Sequence, residues 1–518
     1  MGIFTTEQRR FAKCIGEMVY CNPFVPERID YERQALGNDF AETPRVWSLL
    51  AGAESERANL AKLVERIEPL AEKLRDRLAG GAKASRDDLV LYGDLVLYML
   101  YQRDRMALQQ TIAEALEGRR STGQIRYWKQ FKRDFDRYLR IPRVTMPVEH
   151  DPAHIFAVFF QIRRAFYQIF TAIIGGSMPT ARLRASVWQS IFTHDMRRYI
   201  RVLYKRMADY TTLVTGPSGT GKELVARAIG QARYIPFDAE AQKFTEDFAS
   251  SFHAVNLSAL SPTLIESELF GHKRGAFTGA VADRAGWLEL CGPMDTVFLD
   301  EIGEVDPAIQ VKLLRVLQTR VFQRIGETKD RQFRGKIIAA TNRDLARDLA
   351  QGGFRTDFYY RLCSDIITTP SLHEQLVDDP ADLYNLVLFI AKICVEDEAQ
   401  SLAEEVTGWI EENLGRDYPW PGNFRELEQC VRNILIRKSY QPAYSAAGDD
   451  AGDSADDLAA AVRDGEFTAD ELLQHYCTLV YAKLGSYEQA ARRLQIDRRT
   501  VRSKINEELL AQLKAAPR

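Results

Sequence analysis

An α/β fold, a parallel sheet with helices on both faces, is predicted for the middle of this 518-residue chain. A mostly helical region precedes it and a small helical module follows. Three observations predict the fold. From about 171 to 376, apolar runs suited to buried strands (Thr212–Thr215, Thr296–Leu299, Lys336–Ala340) alternate with helical segments, the pattern of parallel strands joined by crossover helices. The first run leads directly into Gly216-Pro-Ser-Gly-Thr-Gly-Lys222, a glycine-rich loop of the kind that cradles phosphate between a strand and a helix. The second run ends in Asp300-Glu301, two carboxylates at the strand end where parallel sheets collect ligands.

Composition is that of a globular protein of roughly three domains, with 46% apolar and 27% charged residues. A net charge of −3 excludes a polycation, so nucleic acid would have to meet a local basic patch. Seven scattered cysteines without a CxxC pair, and only seven histidines, argue against a disulfide framework or a zinc site and favour a reducing, cytoplasmic compartment. The greasiest run, Ile155–Gly175, carries Arg163, Arg164 and Gln168, which argues against a membrane span.

Residues 1–170 read as a helical regulatory domain of unknown type. Leu60, Leu63, Ile67, Leu70 and Leu74 recur at alternating spacings of three and four; this is either a short coiled-coil seam or, on the simpler reading, an amphipathic helix packed in its own domain. Trp128, Phe131, Phe135 and Tyr138 recur at helical spacing among Lys129, Lys132, Arg133 and Arg137, favouring a core face with a solvated basic side over a nucleic-acid surface. Gly175-Gly-Ser-Met-Pro179 marks the passage into the α/β core, 171–376. Residues 377–444 lack strand runs and read as a helical lid. The small, acidic stretch 445–466 reads as a flexible linker, and 467–518 as a helical module.

In the phosphate loop, Gly216, Gly219 and Gly221 let the amides around Pro217, Ser218 and Thr220 turn toward phosphate oxygens at the positive end of the helix that Lys222 opens. Lys222 is expected to reach the β- and γ-phosphates of a nucleotide, and Asp300 to hold Mg²⁺. Glu223 stands where a hydroxyl residue usually follows the lysine, so the metal must lean on Asp300, water and phosphate. Glu301 would orient and deprotonate the attacking water. Between loop and carboxylates lies Gly275-Ala276-Phe277-Thr278-Gly279-Ala280. Two glycines and two alanines cannot build a core; they suit a sharply bent loop presenting one ring and one hydroxyl to a partner.

Together these motifs resemble the bacterial enhancer-binding proteins, the sigma-54-dependent activators of the AAA+ ATPase superfamily. Glu268-Leu-Phe-Gly-His-Lys-Arg followed by the six GAFTGA residues is nearly that family's surface-loop signature. The resemblance covers about 171–440 and the C-terminal module, not the first 170 residues. It implies an AAA+ core with a helical lid and an ATPase that uses ATP and Mg²⁺. Such an ATPase works as a hexamer (a dimer at rest) and remodels the sigma-54 RNA polymerase holoenzyme through residues 275–280. It implies Walker roles for Lys222, Asp300 and Glu301, and Glu223 is the family's habit. Asn256 is implied as the restraint on the catalytic glutamate, Thr341-Asn342 as sensor I, Arg355 and Arg361 as arginine fingers acting on a neighbour's nucleotide, and Arg425 as sensor II. The chain departs from the pattern in a longer 231–252 segment, in Gly292-Pro-Met-Asp before Thr296, and in Leu372-His-Glu-Gln375 at the start of the lid; no catalytic group is lost.

Near the C-terminus, Ser486-Tyr-Glu-Gln489 reads as a capping box opening a helix that runs to Leu494, and Asp497 as the cap of a second helix after a Gln495-Ile496 turn. This helix-turn-helix is similar to the Fis-type modules that end such activators. Seven bases against two acids between Lys483 and Lys504 make a local footprint for double-stranded DNA. Arg492 and Arg493 are expected on phosphates, and Arg498, Arg499 and Arg502 on base edges, with Thr500, Ser503 and Lys504 beside them. Rival readings, an AAA+ remodeller with another client or a DNA-binding regulator with a vestigial ATPase, conflict respectively with the intact GAFTGA and with the complete catalytic set.

Overall fold

The computed structural model describes residues 2–42, 58–116, 123–247, 252–442, 468–506 and 510. The expected linker, 445–466, lies outside them. The chain divides into two compact units, 1–436 and 437–518.

The first unit opens with α1 (Thr6–Tyr20), α2 (Glu27–Leu36), α3 (Ala58–Ala79), α4 (Arg86–Leu116), α5 (Trp128–Leu139) and α6 (Pro152–Ala172). Their ends follow local chemistry. Thr5 and Gln8 form a reciprocal capping box on α1, and Asp151 accepts from the amides of Ala153 and His154 with Pro152 at the first position of α6. The α3 repeat faces inward: Leu60, Leu63, Ile67 and Leu74 are buried and Leu70 partly so, in one cluster with α4. It is thus an amphipathic helix in its own core. The aromatic face of α5 is buried likewise, and its lysines and arginines are exposed.

After α7 (Met178–Phe192) and α8 (Met196–Arg201) comes the sheet: β1 (Thr212–Thr215), β2 (Phe252–Asn256), β3 (Thr296–Asp300), β4 (Lys336–Thr341) and β5 (Asp365–Thr368). All neighbours are parallel, in the order β5-β1-β4-β3-β2. β4 is buried along its whole length, as a central strand covered on both faces must be. Register sets Thr215 beside Thr341 and Thr368, and Asn256 beside Asp300, so the strand ends that carry the expected chemistry meet at one edge. Where the lid is expected, 377–444, the described residues form the helices Asp382–Val395, Ala399–Asn413 and Asn423–Arg437, preceded by Leu372–Asp378.

Helical region and sheet are not separate bodies. The boundary expected at 170 falls inside α6, which packs along α9 (Lys222–Gln231), the helix of the phosphate loop. The last carbonyls of α9 lack helical partners, and α6 supplies them: Gln161 Nε2 donates to Ala232 O at 2.9 Å and the buried Arg164 guanidinium donates to Gln231 O. Burial lowers the Arg164 pKa to about 9. The segment after α9, expected to depart from the family pattern in length, contains a small antiparallel hairpin, Phe237–Asp238 against Lys243–Phe244. Its rings enter the helical core. Phe244 stacks on Phe160 with centroids 4.0 Å apart, and Phe237 lies 4.8 Å from both Trp128 and Phe156.

The Gly175–Pro179 passage is a lid anchor. The buried Asp382 carboxylate accepts from the amides of Gly176 and Ser177 at 2.7 and 3.0 Å. At Gly175 (φ 122°) a Cβ would come within 2.8 Å of Asp382 Oδ2.

In the second unit, described by itself, the described residues hold three helices, Ala469–Leu484, Tyr487–Leu494 and Arg498–Ser503. Gln495 adopts a left-handed conformation at the turn (φ 54°), and Asp497 Oδ1 accepts from the Arg499 amide at 2.7 Å, capping the third helix. Ala490 and Val501 are buried. The expected capping box at Ser486 does not form: its side chain makes no capping bond. Tyr487 instead stacks on Tyr481 with centroids 4.2 Å apart, and that packing holds the start of the second helix. Among the described residues no helix is long and apolar enough to cross a membrane.

Candidate nucleotide site and surface loop

The phosphate loop joins β1 to α9 with Gly216, Gly219 and Gly221 at φ of 138°, 79° and 83°. Two of these glycines are forced by contact as well as by backbone. A Cβ on Gly216 would lie 2.2 Å from Thr369 Oγ1, and one on Gly219 would lie 2.4 Å from Gly422 O. Lys222, buried, donates to the carbonyls of Gly216 and Pro217 at 3.0 and 3.1 Å, across the loop. Burial lowers its pKa, while Glu301 and Asp300 oppose that shift. Thr220 Oγ1 lies 2.6 Å from Thr369 Oγ1, tying the loop to the segment after β5. Glu223 pairs with Arg227 at 2.8 Å.

Opposite the loop, burial raises the Asp300 pKa and the neighbouring Glu301 charge adds to the rise. A carboxylate raised by a second carboxylate is relieved by a bound cation, so the donor set fits a hard divalent metal. Glu301 sits in the left-handed region (φ 55°, ψ 50°), an uncommon backbone for a side chain of this size. That turn lets its Oε2 accept from the Asn342 amide, 3.3 Å away. Thus Asn342, expected as part of sensor I, is joined to the second carboxylate through its backbone. Asn256, expected to restrain Glu301, bonds elsewhere: its Oδ1 accepts from the amide and hydroxyl of Ser258 at 3.0 and 2.8 Å.

The lid closes the site from above. Arg425 Nη1 donates to Ser218 Oγ at 3.2 Å, Asn423 Nδ2 to Ser218 O at 2.9 Å, and the Phe424 amide to Gly219 O at 3.1 Å. A cavity of 460 Å³ results, bringing together Ser218–Glu223, Asp300, Glu301 and Arg425. Its apolar wall was not foreseen: Ile173 and Ile174 from the end of α6, with Leu183 of α7, face Leu386 and Ile390 of the lid. Such a slot suits a flat base beside a phosphate cradle. Arg355 and Arg361 lie outside it. Arg355 forks onto Asp357 at 3.0 and 2.8 Å, and Arg361 is exposed.

Residues 275–280 sit on a two-stranded stem, Gly271–His272 against Arg284–Ala285. The tip closes through Gly275 N to Ala280 O at 2.8 Å and Ala280 N to Phe277 O at 3.0 Å. Thr278 is exposed, Phe277 is half-buried edge-on to His272 at 5.0 Å, and the adjoining Val281 is 84% exposed. A second hairpin, Val321–Phe322 against Arg331–Gln332, braces the stem: the amides of Lys273 and Ile325 donate to Ile325 O and Gly271 O at 3.0 and 2.9 Å.

In the second unit Arg492, Arg493, Arg498, Arg499, Arg502 and Ser503 are exposed and Thr500 and Lys504 half-buried. Two of these bases are already paired, Arg498 with Glu488 at 3.2 Å and Lys504 with Asp470.

Residues 190–368 match the Sigma-54 interaction domain family. Over 221 residues the chain is 44% identical to a Nif-specific regulatory protein of Herbaspirillum seropedicae, covering 43% of this chain and 37% of that protein. Over 312 residues it is 35% identical to the transcriptional regulatory protein ZraR of Klebsiella oxytoca, covering 58% and 64%. It is also similar to a crystal structure of NtrX from Brucella abortus in complex with ADP, at 21% identity and a TM-score of 0.38, covering 75% of this chain and 81% of that one. In each of the two sequence relatives the match spans less than two thirds of the length.

Proposed function

Taking residues 190–368 as a sigma-54 interaction domain, we propose that the chain is a DNA-tethered ATPase that drives sigma-54 RNA polymerase from closed to open promoter complexes. One observation carries the reading: a phosphate cradle closed by a lid and an exposed, braced GAFTGA tip belong to the same compact unit. Turnover at the first can therefore displace the second.

ATP would lie with its base against Ile173, Ile174, Leu386 and Ile390 and its phosphates in loop 216–221. Lys222 would neutralise the β- and γ-oxygens, and Arg425 would tie nucleotide to lid. Asp300 would hold Mg²⁺, which supplies charge neutralisation on the phosphate oxygens. Glu301 would take the proton of the attacking water, its carboxylate aimed by the Asn342 amide. Arg355 and Arg361, outside their own cavity and near the surface, suit fingers that complete a neighbour's site in a hexameric ring. The helix-turn-helix would hold double-stranded upstream DNA, with Arg499 and Arg502, free of intramolecular ion pairs among the described residues, on base edges.

The test is open-complex formation by purified sigma-54 holoenzyme on a promoter carrying an upstream site. Melting should require this protein and hydrolysable ATP; melting that proceeds equally with a non-hydrolysable analogue would overturn the reading.

A further inference from the structure

A second cavity, of 470 Å³, lies inside the helical region between α1, α4, α6 and α7, away from the nucleotide. Its walls are largely aromatic and aliphatic, including Tyr98, Phe159, Phe166 and Trp188. Its polar groups have one sign. Arg28, Arg105 and Arg163 line it, and among the described residues no aspartate or glutamate does. Arg28 is paired with Glu32 at 2.6 Å and Arg163 bonds the Tyr101 hydroxyl. Arg105, half-exposed, has no hydrogen bond or ion pair among the described residues. On the next turn inward, Gln102 Oε1 is buried without a partner. A buried amide left unbonded costs stability unless something else meets it. Tyr98, Tyr101, Gln102, Arg105 and Met106 recur along one face of α4 at helical spacing, with Met106 at 64% exposure marking the mouth.

We propose that this cavity binds a small organic carboxylate with an aromatic or medium-length aliphatic body, and that occupancy sets the ATPase rate. The carboxylate would meet the Arg105 guanidinium and the Gln102 amide, which turned over presents its N–H₂, while the body fills the apolar interior. The volume is within the roughly 300–1,000 Å³ of small-molecule sites. The route to the ATPase is α6. Its Phe159, Ile162, Arg163 and Phe166 face the cavity, while Gln161 and Arg164, interleaved with them, hold the terminal carbonyls of the phosphate-loop helix. A ligand that moves α6 must move α9 with it, since both contacts are buried.

The ligand is unidentified, so the probes are decanoate, decanol and decyltrimethylammonium, titrated into the full chain without nucleotide. Binding is followed by tryptophan emission, with Trp188→Phe to identify the reporter. Decanoate should bind at least about tenfold more tightly than decanol, and the cation not at all. Arg105→Leu should remove that preference, Arg105→Lys should keep part of it, and Arg105→Glu should transfer it to the cation. Equal binding of acid and alcohol, no saturable binding, or an unchanged preference in Arg105→Leu would overturn the site. Saturating decanoate should change ATP turnover at least twofold; unchanged turnover would overturn the coupling. That arm rests on the proposed ATPase, whereas the binding arm does not, so the two failures are distinguishable.

Discussion

Two glycine-rich loops of nearly equal length do opposite things in this chain. In the phosphate loop, Gly216 and Gly219 have positive φ and are also crowded, with Thr369 and Gly422 where a methyl would go. In the surface loop, Gly275 and Gly279 have positive φ too, at 80° and 101°, yet nothing lies within 4 Å of a methyl on either. Glycine gives close approach in one and curvature alone in the other. The first loop is clamped by lid, sheet and its own lysine; the second is held by its stem and by Ala276 lying against Gly326 of the bracing hairpin. A fixed cradle and an exposed tip, built from similar composition, are what a device that converts phosphate chemistry into displacement would need.

Substitutions can break or sharpen that contrast, ordered here by expected effect on ATP turnover. Arg361→Ala should lower it by on the order of 10³-fold in an assembled ring with nucleotide binding retained; turnover within a few-fold of wild type would remove the trans role. Lys222→Ala should cost about 10²–10³-fold and weaken nucleotide binding in direct titration. Gly219→Ala should destabilise the chain by about 1–3 kcal/mol from strain and loosen the lid, seen as a lower Tm and reduced turnover. Gly275→Ala should cost only about 1 kcal/mol for its left-handed backbone and leave turnover intact; a loss as large as that of Gly219→Ala would erase the distinction. Thr278→Ala should change neither turnover nor Tm yet abolish open-complex formation, and normal promoter melting there would refute the tip's role.

Much of the site was legible because its chemistry is local in sequence. Strand, glycine loop and helix are contiguous at 212–231, and Asp300-Glu301 ends an apolar run long enough to be a buried strand. The apolar wall of the nucleotide cavity was not legible. Ile173 and Ile174 sit in a stretch whose composition says only that it is buried, and the wall exists because lid helices fold back onto it from two hundred residues away. The same holds for Phe237 and Phe244, where a two-residue strand pair is too short to show a period. At Ser486 the local pattern was right for a cap, but the Tyr481–Tyr487 stack decided the geometry. The Glu301–Asn342 link depends on a left-handed residue that no periodicity announces.

The hairpin at 237–244 has a practical corollary. A fragment cut free at residue 171 would keep Phe237 and Phe244 but lose Trp128, Phe156 and Phe160, leaving two rings bare on a strand edge. It would also shed Gln161 and Arg164, uncapping the helix that Lys222 opens. Such a fragment would be expected to clump, so the sheet and lid cannot be treated as an interchangeable cassette; the helical region is part of their core.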